Sequence, residues 1–234
     1  MIDRLLSRIK GEQYELDPRI PTSYLLGYFG KKILFLLYGM IRLHTFKRVF
    51  IHPSSKILCS GKLKTKGNLN IDAGCYIDAL SEIGFICGRN VNLGRNTTVM
   101  LSGSLHKIGK GAILGDNIAL GTHGFYGSGM GMLQIGSDVI FGNYVSIHPE
   151  NHNYHDTKIP IRHQGVSSLG GVKIGDNCWI GAKATLLDGT VIGNGCIVAA
   201  GAVVKGEFPD NVIIGGVPAK IIKYRDGISA KRDS

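Results

Sequence analysis

The sequence predicts an all-β solenoid, a triangular prism of stacked parallel coils, and three observations carry that reading. From Ile174 the chain falls into units of six: IGDNCW, IGAKAT, LLDGTV, IGNGCI and VAAGAV. Ile174, Ile180, Leu186, Ile192 and Val198 hold the first position, and Val204 opens the next unit. The fifth position is always small: Cys178, Ala184, Thr190, Cys196 and Ala202. A period of six fits neither an amphipathic helix nor an ordinary alternating strand. One inward aliphatic residue per short strand, closed by a tight corner, lets each coil bury its apolar side against its neighbours. The third observation is glycine. There are 34 in 234 residues, and Gly or Asn at positions two to four supplies the turn conformations that corners need.

Residues 1–53 are expected to form a basic, partly helical segment. Residues 1–70 hold thirteen Lys or Arg against four acids, which is +9 of the overall +10. The most apolar stretch, residues 33–41, is bracketed by Lys31, Lys32, Arg42, Lys47 and Arg48. Nine residues cannot cross a bilayer, which needs about twenty. Two compatible roles remain: a helix capping the open end of the prism, or an interfacial helix resting on anionic lipid. Nucleic acid is not an expected partner, because neither stacking aromatics nor a recognised motif accompanies the charge.

Residues 54–208 are expected to form the prism. The same spacing runs through Ile71, Ile77 and Ile83, then Leu93, Val99 and Leu105. It continues through Ile108, Leu114 and Leu120, then Ile135, Phe141 and Ile147. The two long breaks, residues 122–134 and 148–173, are expected to project as loops. Loops of this size on a regular scaffold commonly carry function, and these two hold five of the eight histidines. Cys75, Cys87, Cys178 and Cys196 fall on the small fifth position and read as packing residues, with Cys59 uncommitted. No CxxC cluster points to metal or redox chemistry. With no cleavable signal peptide, the expected compartment is a reducing cytoplasm. Residues 209–234 follow as a short tail.

The segment GNYVSIHPENHNYHD, then IGDNCWIGAKATLLDGTVIGNGCIVAAGAVV and FPDNVIIGGVPAKIIK, resembles the hexapeptide-repeat acyltransferases. The resemblance spans residues 70–223 and is strongest over 135–223. Within that family the chain looks closest to the galactoside, maltose and surface-polysaccharide O-acetyltransferases. A lone hexapeptide is a weak signal, whereas many in phase followed by GGVPAK are specific. The resemblance implies a left-handed coil, a homotrimer, and transfer of an acetyl group from acetyl-CoA, with no metal.

A hydroxyl is a poor nucleophile near neutral pH, so its acetylation calls for a general base, and histidine suits that task. The resemblance places the base at His152, with His148 its chief rival; Glu150, Asp156 or a backbone carbonyl would each serve to orient the ring. Backbone N–H groups near Ala182 would receive the oxyanion. Trp179, Ala182 and Ala200 match positions that wall the coenzyme groove, and Lys220 and Lys223 match positions that meet its phosphates. One departure concerns Lys205. Relatives read Val-Thr-Lys before an acid, while this chain has Val204-Lys205-Gly206-Glu207.

His123 and Tyr126, with Phe125, are expected to line the acceptor pocket, joined by His155. The basic apolar N-terminus suits a surface polysaccharide or its lipid-carried precursor, worked on at the inner membrane face. The alternative acceptor is a small soluble sugar, amino sugar or xenobiotic. Remoter alternatives are a trimeric metalloenzyme using His148, His152 and His163, or a non-catalytic scaffold.

Overall fold

Inward aliphatic side chains stack in columns, and the columns are the core. A computed structural model describes residues 16–104 and 106–225. Its strands wind as a β-helix whose parallel ladders fall on three faces. One face aligns Cys87, Leu114, Ile135, Ile174 and Ile192 in register. A second aligns Phe141, Ile180, Val198 and Ile214. The third aligns Ile57, Ile77, Val99, Tyr126, Ile147, Leu186 and Val204. All of these are buried, and burying each large aliphatic one is worth roughly 1.5–3 kcal/mol. At one corner Asn68, Asn90, Asn117 and Asp138 all take positive φ. Their side chains bond one another in a ladder of 2.8 Å steps.

The structure corrects the upstream register. Ile83 and Ile108 are partly exposed rather than inward, and Leu105 lies outside the described residues. Cys87 does not sit at a small corner position; it takes an aliphatic position, paired with Leu114. Burial pushes its thiol pKa far up, and pushes that of Cys75 up to about 11. Most of the expected 122–134 loop is coil. Phe125–Gly127 is a strand paired on both sides, so the Tyr126 ring fills the column position where an aliphatic residue would stand. The ladder also exceeds 54–208. It opens with Val49–Ile51 and runs on through Val212–Gly216, against which Ala219–Tyr224 folds back antiparallel.

Helix α1 (Thr22–Arg42) is longer than the nine-residue apolar run. Tyr24, Leu25, Leu26 and Phe29 extend the apolar surface by two turns, and Gly27 and Gly30 interrupt the run without ending the helix. By length and composition α1 could cross a membrane. It is instead tied to the first coil along its C-terminal half. Lys32 Nζ donates to Asn70 Oδ1 at 2.6 Å, and Arg42 Nη2 donates to the Ile57 carbonyl at 2.9 Å. Phe35 meets the His52 ring edge-on at 4.9 Å. Gly39 is buried, and a Cβ there would overlap the Val49 carbonyl. Gly39→Leu should therefore lift α1 off the coil and cost about 1–3 kcal/mol, the usual range for overpacking. Thermal unfolding and faster proteolysis at Lys47 and Arg48 would register it; unchanged proteolysis would show that the contact does not hold the helix.

Candidate active site

The prism breaks after Ser146–His148 and resumes at Gly171–Ile174. The 148–173 excursion leaves and returns through a short antiparallel pair, Asn151–His152 against Val166–Ser167. Asn153 donates to the Gln164 carbonyl, and Gln164 donates to the Asp156 and Ile159 carbonyls. Among the described residues Asp156 spends Oδ1 on the Lys158 N–H, within the loop itself.

A cavity of about 260 Å³ opens where the excursion leaves the coil, lined by Met100, Phe125, His148, Pro149, Glu150 and His152 together with Gly103, Gly127 and Gly129. His152 is exposed at its wall. Glu150 Oε2 accepts the Met130 N–H at 2.8 Å. Gly129 makes this possible, because a Cβ there would overlap the carboxyl and its φ of 47° already favours glycine. His148 Nε2 lies 2.6 Å from Ser146 Oγ, and its ring stacks on Phe125 at 5.3 Å. His148 is thus held by the coil, while His152 is carried by the excursion.

The residue that anchors this excursion carries no signal in the repeat pattern. Asp188, on the turn after Thr185–Leu187, is fully buried. Its Oδ2 accepts from Asn151 Nδ2 at 3.0 Å and from the Leu169 N–H at 2.6 Å. Its Oδ1 accepts from the Gly171 N–H at 3.0 Å and lies 2.7 Å from Ser168 Oγ. Ser168 Oγ is also 2.9 Å from the Pro149 carbonyl; its single proton serves one acceptor at a time, and the carboxylate is the stronger. One carboxylate therefore clamps both ends of the excursion.

Other expected residues distribute unevenly. Tyr126 is corrected: it is 1% exposed and packs edge-on to Phe141 at 5.5 Å inside the core, so its neighbour Phe125 lines the cavity instead. His123 stands exposed at a corner, stacked on Tyr144 at 4.9 Å with Nε2 3.0 Å from Asn96 Nδ2, and does not line this cavity. His155 is exposed on the excursion beside Tyr154. Ala182 and Ala200 occupy the same corner on successive coils, where Gly201 donates to the Ala182 carbonyl at 2.9 Å. Trp179, half-exposed on the adjoining face, stacks in register with Ile140 and Ile197. Lys220 and Lys223 are exposed on the final strand. Among the described residues no group of three His, Cys, Asp or Glu is arranged to hold a metal ion.

The bacterial transferase hexapeptide family (six repeats) matches residues 171–206, the coils that follow the excursion. WbbJ of Escherichia coli K12, a putative lipopolysaccharide biosynthesis O-acetyl transferase, is 34% identical over 141 residues, covering 57% of this chain and 71% of that protein. The chain belongs to the bacterial hexapeptide transferases. This hexapeptide transferase is also 34% identical over 170 residues to a probable acetyltransferase of Mycobacterium tuberculosis. That match covers 72% of the chain but only 54% of the mycobacterial protein. A solved structure of a Bacillus cereus N-acyltransferase, AntD, in complex with dTDP-4-amino-4,6-dideoxyglucose and coenzyme A, shares the fold. Its TM-score is 0.53 at 19% identity, over 76% of this hexapeptide transferase and 81% of AntD.

Proposed function

We propose that this protein is an acetyl-CoA-dependent O-acetyltransferase acting on a sugar hydroxyl, of a surface polysaccharide or its precursor, and that it works in the cytoplasm. The observation that carries the reading is the placement of His152, exposed on a clamped excursion at the wall of the cavity that also holds Glu150. The kinship with WbbJ supports the acceptor class. His152 takes the proton from the acceptor hydroxyl as its oxygen attacks the thioester carbonyl. The tetrahedral intermediate then collapses, the C–S bond breaks, and the departing sulfur regains that proton from the imidazolium. No acyl-enzyme is needed.

The corner suits coenzyme A. The Ala182 and Ala200 N–H groups donate to no acceptor among the described residues, so both remain free for pantetheine carbonyls or the oxyanion. Trp179 walls the groove, and Lys220 and Lys223 meet the phosphates. His155 contacts the acceptor from the excursion. The coil is left-handed, as the family kinship implies. Three chains assemble so that each groove is completed by a neighbour, because one prism face gives coenzyme A only one wall. Light scattering should show three chains, and a fully active monomer would end that part of the proposal. A screen of sugar acceptors with acetyl-CoA, reading released thiol, tests the activity; no acceptor-dependent release would reject it.

A further inference from the structure

The outer stripe of α1 is apolar and uncovered. Leu26, Ile33, Leu37 and Ile41 recur seven, four and four residues apart, so they share one side of the helix. They are 69%, 59%, 53% and 74% exposed, and Phe46 just beyond is 98% exposed. The opposite side is the one held by Asn70, Val49 and Ile57. The side of the helix turned away from the coil is therefore apolar, with Lys31 exposed at its edge, and an apolar helix face is normally buried. Contiguous exposed apolar surface of this kind marks an interaction site.

The surroundings identify the occupant. Lys31, Arg42, Lys47 and Arg48 flank the stripe, within a segment carrying +9 of the chain's +10. Like charge opposes pairing with a second copy of the same segment, whereas an anionic lipid surface complements it. Crossing the bilayer would require breaking the Lys32–Asn70 and Arg42–Ile57 bonds and drawing the first coil into hydrocarbon. We propose that α1 lies flat on an anionic membrane, with Leu26, Ile33, Leu37 and Ile41 inserted and the prism standing above in water. This stands apart from the acetyl-transfer reading, since none of these residues lines the cavity.

The test is co-sedimentation of the full chain with vesicles of phosphatidylcholine alone or mixed with phosphatidylglycerol. The protein should pellet with the mixed vesicles and far less with neutral ones. Salt should weaken binding, because attraction between exposed charges is screened beyond about 8–10 Å. Ile33→Glu with Leu37→Glu should reduce binding roughly tenfold or more, with the oligomeric mass and thermal unfolding unchanged. Equal binding to neutral vesicles, or none, would overturn the proposal. A change of oligomeric mass in the double variant would overturn it too, assigning the stripe to a second copy.

Discussion

Replacing His152 with alanine should lower acetyl transfer by about 10²–10⁴-fold, or roughly 3–5 kcal/mol of barrier, the usual contribution of a positioned general base. Folding, assembly and coenzyme binding should persist, because the side chain is exposed on the excursion and supports none of the buried columns. His148→Ala is the informative control. That imidazole is bonded to Ser146 and stacked on Phe125, so its removal loosens one wall of the cavity but leaves the base in place, and should cost much less. The reverse ranking would make His148 the base. Two near-normal variants, with acetyl transfer established, would remove histidine from the mechanism.

The second large effect is expected at a residue that touches no reacting atom. Asp188→Ala leaves Asn151, the Leu169 N–H and the Gly171 N–H without their acceptor. The Gly171 N–H is buried and its loss of a partner costs about 1–3 kcal/mol, while the part-buried Asn151 and Leu169 donors can turn to water at a smaller cost. The excursion should loosen at both ends, and a displacement of about 1 Å at the base can cost 10²-fold in rate. The loss should appear in kcat, with coenzyme affinity nearly unchanged, because Trp179, Ala182 and Ala200 make none of the contacts that Asp188 holds. Asp188→Asn keeps one oxygen and should recover part of the rate. A variant that loses stability while its folded fraction retains full kcat would reduce Asp188 to packing.

The regular part of this fold was legible because each six-residue unit repeats the same physical demand. From Ile135 to Val204 every predicted inward position is buried. Upstream the period misleads where unlike residues fill a column. Cys87 and Tyr126 occupy aliphatic positions, which made Ile83 look inward and residues 122–134 look like a loop. The cavity was legible only in part. The excursion announced itself as an interruption rich in histidine, which places His148, Glu150 and His152 together. Tyr126 is core because the chain continues there as a strand where a loop is expected, and His123 stands exposed at a corner outside the cavity. Asp188 was invisible because it sits at an ordinary turn position of the LLDGTV unit, while its partners lie 17 to 37 residues earlier in the chain. Helix α1 was underestimated because Gly27 and Gly30 interrupt the apolar run in sequence without interrupting the helix.

The most direct measurement counts product against thiol. Purified protein is incubated with acetyl-CoA and a sugar acceptor, and the acetylated product is exposed to mild alkali. Acceptor-dependent thiol release is expected, with one acetyl group on the sugar for each thiol and loss of that group in alkali as an ester. An alkali-stable amide product, or thiol released without acetylation of the acceptor, would contradict it.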